Sequence, residues 1–128
     1  MNTLWDLLAV GFGGFIGATA RYAVCEFINP RIVRTGFPFG TLTVNLLGCL
    51  VIGLLGGWAS TASWLSPKIK LFLIIGILGS FTTFSTFGHD TLLLLQGKQA
   101  AAAMGNVISH LVLGILFVYT GYFLSSQL

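Results

Sequence analysis

Four apolar stretches, Leu4 to Ile28, Thr41 to Trp58, Leu71 to Gln96 and Ala100 to Leu124, alternate with short polar connections. Each is long enough to cross a bilayer as a helix, because a hydrocarbon core of ~30 Å needs about 20 apolar residues. The connections carry loop residues: Pro30, Gly36, Pro38 and Gly40 between the first two stretches, Ser60 to Pro67 between the next two, and Gln96-Gly97-Lys98 before the last. Trp58 and Trp64, and the aromatics of the first connection, suit the membrane–water interface. The pattern predicts an all-α integral membrane protein with four transmembrane helices. Residues 1–128 form a single domain, and both termini lie on one side.

The third stretch departs from a plain span. Gly79-Ser80-Phe81-Thr82-Thr83-Phe84-Ser85-Thr86-Phe87-Gly88 holds five hydroxyl side chains and three phenylalanines between two glycines. Glycine and clustered Ser/Thr weaken a helix and offer the backbone other partners. Broken backbone at membrane depth is tolerated only where protein or a polar cavity surrounds it, and ion sites are often built on such interruptions. A third span of about 26 residues would measure roughly 39 Å if fully helical, which exceeds the hydrocarbon core. The sequence therefore predicts a broken third helix with a site at the break.

Few other polar residues lie within the spans. Arg21 sits several residues inside the end of the first; it either snorkels or pairs with Glu26, or it faces a vestibule where it would attract anions. Asn45 is the one carboxamide of the second span and either bonds a neighbouring helix or donates to an anion. His89 and Asp90 follow the break, and Asp90 reads as an interfacial or paired carboxylate. In the fourth span, Asn106 and His110 share a face at i, i+4, with Ser109 beside them. Gly13-x-x-x-Gly17 in the first span reads as a helix-packing face.

Composition agrees with the pattern: 55% of the residues are hydrophobic and 7% charged, with mean hydropathy +0.94. A soluble domain carries about a quarter charged residues. A net charge of +3 is too small and dispersed to suggest nucleic acid. Cys25 and Cys49 have no metal-ligand spacing and read as small packing residues. The apolar run Leu7 to Ala20 ends in Ala18-Thr19-Ala20, as a signal peptide can, but its leader holds Asp6 and no Lys or Arg, so a retained first span is expected. Arg31, Arg34 and Lys98 flank one side of the spans; Lys68, Lys70 and the terminal amine flank the other. That balance gives no fixed orientation and suits a chain that inserts both ways and pairs with an inverted copy.

Three motifs in order, Gly13-Gly14-Phe15-Ile16-Gly17-Ala18-Thr19-Ala20-Arg21-Tyr22, Gly40-Thr41-Leu42-Thr43-Val44-Asn45-Leu46-Leu47-Gly48 and the 79–87 segment, resemble the Fluc/CrcB fluoride channels of microbes. The resemblance implies an antiparallel dual-topology homodimer in the cell's plasma membrane, with two pores that passively release cytoplasmic fluoride. It places the pore on Asn45, Phe84 and Phe87, with Thr83, Ser85 and Thr86 in the polar segment after the break. It further implies a structural sodium ion held by the backbone carbonyls of Gly79 and Thr82. Asn106, Ser109 and His110 extend the expected polar track, with Arg21 at the vestibule. The chemistry suits a strongly hydrated anion: hydroxyls and amides replace lost water, and phenyl edges carry the positive part of the ring quadrupole.

Two other classes compete. A small dual-topology multidrug or cation exporter would want a carboxylate deep in the first span, where this chain has Arg21 and only a terminal Glu26. A non-catalytic assembly subunit would not need five hydroxyls at a break. No nucleophile–base pair, metal cluster or phosphate loop points to an enzyme.

Overall fold

The computed structural model describes residues 3–32, 36–59 and 62–127. Five helical segments make four membrane-length spans: α1 (Thr3–Ile32), α2 (Phe39–Trp58), α3 (67–81) continued by α4 (Phe84–Gln96), and α5 (Ala100–Ser126). The described residues contain no strand. The protein is a multi-pass membrane protein, and its large exposed apolar side chains, among them Phe12, Phe15, Ile115 and Leu116, are what spans in contact with lipid present.

Boundaries differ from the expected ones in ways local chemistry explains. The helix of the third span begins at Pro67, four residues before Leu71. Ser66 takes up extended dihedrals and its hydroxyl accepts from Ile69 N at 3.4 Å, while Pro67 occupies the first turn, where its missing N–H costs nothing. Lys68 and Lys70 therefore belong to the helix and not to the loop before it. Helix α1 runs past Ile28 to Ile32, so the segment 29–32 of the expected connection is helical, while Arg34 lies outside the described residues. The tight turn at 96–98 forms as expected, but its left-handed residue is Lys98, at φ 57°, and not Gly97.

Small residues decide which helices pair. An added Cβ on Gly13 would lie 2.8 Å from the carbonyl oxygen of Phe72, and one on Gly17 would overlap that of Ile77, so the expected packing face is real and its partner is α3. The equivalent contact between α2 and α5 sets Gly53 against the carbonyl of Val118, and Gly121 against that of Leu50. Backbones this close gain dispersion contacts that lipid cannot match, which is the main source of helix association in a bilayer. Thus α1 packs chiefly on α3 and α2 chiefly on α5. Near one end, Leu55, Leu65 and Leu78 form a buried cluster against Trp58, Leu73 and Ile74, and Trp58 meets Trp64 edge-on at 6.0 Å.

Residues 71–78 are wound as a π-helix. Wide turns of this kind are frequent at functional sites. Here the winding ends at Leu78, immediately before the polar segment.

Candidate functional site

The break falls at Thr82 and Thr83, both extended (φ −79°, ψ 157° and φ −152°, ψ 116°), between helical Phe81 and Phe84. Thr82 still belongs to the preceding turn: its backbone N–H and its hydroxyl both donate to the carbonyl of Leu78, at 3.0 and 2.9 Å. The next N–H leaves the helix. Thr83 N donates to Oδ1 of Asn45 at 2.8 Å, and Nδ2 of Asn45 donates back to the carbonyl of Thr83 at 3.1 Å. The side chain of Asn45 thus satisfies both backbone groups of the buried Thr83, as a break at this depth demands.

Two carbonyls lose their ordinary donors as a result. In a continuous helix Thr83 N–H would serve Gly79, and Thr86 N–H would serve Thr82. The first is given to Asn45; the second is given to the hydroxyl of Thr83, which caps α4 at 3.2 Å. The Thr83 hydroxyl also donates to Oγ1 of Thr86 at 3.0 Å and lies 3.2 Å from Oγ of Ser85. Gly48, one turn after Asn45 on α2, leaves room for the methyl group of Thr82 where any side chain would collide.

Gly79, Thr82, Thr83, Asn45, Phe84, Phe87 and His110 all border one cavity of about 400 Å³. Phe84 and Phe87 sit 5.5 Å apart, centroid to centroid, on the same face of α4. Phe84 is 84% exposed, an extreme value for the aromatic that opens a helix beside a polar break. Phe87 is half-buried against the imidazole of His110, whose centroid is 4.4 Å away. A second cavity of about 550 Å³, between α2 and α5, shares Cys49, His110 and Leu111 with the first.

Other expected residues lie away from this lining. Ser85 and Thr86 are exposed and belong to the capping cluster of Thr83. Asn106 is fully buried, and half-buried Ser109 lies on a different face from His110. Arg21 is half-buried on α1, near enough to Cys25 to act on it electrostatically, as are Asp90 and Glu26.

The interior hydrogen bonds have a fixed direction. Thr91 donates to the carbonyl of Phe87 at 2.8 Å, so its oxygen must accept from Nδ2 of Asn106 at 2.9 Å. Nδ1 of His110 stands 2.9 Å from the carbonyl of Asn106, which can only accept, so Nδ1 carries a proton. Oδ1 of Asn106 and Nε2 of His110 are left buried with no partner. Asp90 is paired, as expected: its carboxyl accepts from the Thr41 hydroxyl at 2.7 Å. Thr41 and Thr91 are the functional-region residues that sequence reasoning missed. Thr41 stands four residues before Asn45 on α2, and that spacing was the available signal; nothing in the sequence ties Thr91 to Asn106.

Among the described residues no group of three or more His, Cys, Asp or Glu side chains could hold a metal. The oxygens at the break are those of backbone carbonyls, of the Thr82, Thr83, Ser85 and Thr86 hydroxyls and of the Asn45 carboxamide.

Comparison with known proteins identifies the family. The family profile described as CrcB-like protein, Camphor Resistance (CrcB), matches residues 8–122. A protein of Ruminiclostridium cellulolyticum named fluoride-specific ion channel FluC is 41% identical over 128 residues, 100% of this chain and 95% of its own. Its namesakes in Chlorobium phaeobacteroides, 42% identical over 90% of this chain and 88% of their own, and in Methylobacillus flagellatus, 37% identical over 93% of both, agree along the same length. With four spans, a clamped break in the third and this agreement along nearly its whole length, the chain belongs to the CrcB-like family, a family of channels and not of enzymes.

Proposed function

We propose that this protein is a fluoride-selective channel that lets the anion leave the cytoplasm passively across the plasma membrane. The observation that carries the reading is the convergence of Phe84, Phe87, Thr83 and the Asn45 clamp on one open cavity at the break. A small anion that sheds its water needs donors and positive ring edges. Asn45 spends one Nδ2 hydrogen on Thr83 and keeps a second, and the half-buried edge of Phe87 adds a positive rim. Arg21, one turn beyond Gly17 on α1, adds a positive charge that would attract anions.

The channel works as an antiparallel homodimer with two pores. Near-equal basic residues on the two sides support both insertions, and an 84% exposed Phe84 beside an open, mostly apolar cavity is a surface that a second copy would cover. In that dimer the carbonyls of Gly79 and Thr82 from two inverted chains supply four oxygens. Such a shell suits a hard monovalent cation, sodium, whose charge would offset carbonyl dipoles left without helical donors. Its role is structural. The competing exporter reading lacks a carboxylate on the cavity.

Efflux from liposomes containing only the purified protein tests the proposal. Fluoride should leave at least about 100-fold faster than chloride, a discrimination worth about 2.7 kcal/mol. Equal halide fluxes, or fluoride flux no faster than from empty liposomes, would overturn it.

A further inference from the structure

We propose that His110 is a proton-operated anion attractor, so that the fluoride conductance of this channel rises as pH falls. The inference rests on the fluoride reading and goes beyond it, since it assigns a regulator to the pore. Among the described residues, His110 and Cys49 are the titratable side chains on the first cavity, and both stand in the wall that the two cavities share. The tautomer of His110 is fixed by the carbonyl of Asn106, which takes the Nδ1 proton at 2.9 Å. The neutral ring therefore turns a bare lone pair, Nε2, into a buried setting with no donor to meet it. An orphaned acceptor in the cavity wall has the wrong polarity for an anion path.

One proton reverses this. It adds to Nε2 without disturbing the Nδ1 bond, turns an acceptor into a donor and places a positive charge beside the cavity. The ring of Phe87, 4.4 Å away, is within range to stabilise an imidazolium through its π-cloud, and it joins that charge to the aromatic pair. The neighbourhood offers little to mask the effect. Helix α2 contributes Cys49 and no charged residue; α4 contributes Asp90, already bonded to Thr41, and exposed His89; α5 itself adds Tyr119 and Tyr122, which line the second cavity. The sign follows from linkage: an anion that binds better to the protonated form must in turn favour protonation. Flux is then high below the titration of the ring and falls as pH rises through it. Acid surroundings drive fluoride into cells as HF, so conductance would rise under the condition that loads the cell.

The test uses the full-length protein in liposomes at equal internal and external pH, with HF leak from protein-free liposomes subtracted. Fluoride flux should rise several-fold between about pH 8 and about pH 5.5, the window in which histidine changes charge, and His110→Gln should flatten the profile. Nitrogen NMR of imidazole-labelled wild type gives an independent reading that needs no variant. Nε2 should be bare at high pH, and fluoride, but not chloride, should move the titration of the ring upward. A pH profile in His110→Gln that parallels wild type, or a titration that fluoride leaves in place, overturns the inference while the channel reading stands. Absence of fluoride flux at every pH fails both.

Discussion

Replacing Asn45 by Leu keeps the volume of the side chain and removes both bonds that hold Thr83. Interhelical hydrogen bonds in membrane proteins average only about 0.6 kcal/mol, so the pair itself contributes about 1 kcal/mol. The larger loss is the N–H of Thr83. That residue is 9% exposed, and an unpaired buried donor costs about 1–3 kcal/mol. The expected destabilisation is therefore about 2–4 kcal/mol, unless Thr83 N–H returns to the carbonyl of Gly79 and the break closes into helix. Unfolding in lipid–detergent mixtures measures the first outcome. Amide exchange at Thr83 and Thr86 separates it from the second, because a closed break would bury and protect both. Fluoride efflux should be lost either way, since either outcome rearranges the cavity wall. An Asn45→Leu protein that unfolds within about 0.5 kcal/mol of wild type, with Thr83 and Thr86 exchanging as in wild type and fluoride efflux retained, would refute the clamp.

Three further outcomes are expected. Phe84→Ile and Phe87→Ile retain apolar bulk without the quadrupole, so efflux per folded protein should fall at least about tenfold, while Met at either position is better tolerated; unchanged flux in both Ile variants would remove the rings from permeation. Lys98→Gly should raise stability by about 1 kcal/mol in the same unfolding assay, because φ 57° costs glycine nothing, and no gain would mean that the turn relaxes in solution. Ser126→Cys, on the exposed last turn of α5, should react with an impermeant thiol reagent from both sides of the membrane; labelling from one side alone would rule out dual insertion.

The four spans and the location of the break were readable because apolar length and hydroxyl clustering are local properties. The expected window, 79–88, narrowed to Thr82 and Thr83 only in three dimensions, since the decisive partner, Asn45, lies 38 residues away. The role of Asn45 sharpened for the same reason: a lone carboxamide looks the same in sequence whether it meets an ion or a neighbouring backbone, and here it holds the backbone. Asn106 and His110 do share a face, yet only His110 reaches the cavity, because Asn106 turns toward Thr91. The start of the third span at Pro67 was legible in Ser66-Pro67 but was outweighed by Lys68 and Lys70, which look like loop residues in a hydropathy profile.

The interleaved pairing of helices, α1 with α3 and α2 with α5, constrains how the protein is made. When α1 and α2 leave the ribosome, neither has its principal partner. The glycine face of α1 waits for residues near Ile77, and that of α2 waits for residues near Gly121, close to the end of the chain. Insertion must therefore run ahead of the principal packing, with only the lesser contact between α1 and α2 available at first. Synthesis at about 5–20 residues per second leaves α2 without its principal partner for several seconds. In that interval a nascent chain is open to membrane proteases and to premature pairing with another copy. A chain that stalls before α5 would present an unfilled glycine groove, a ready signal by which quality control could tell a fragment from a finished subunit.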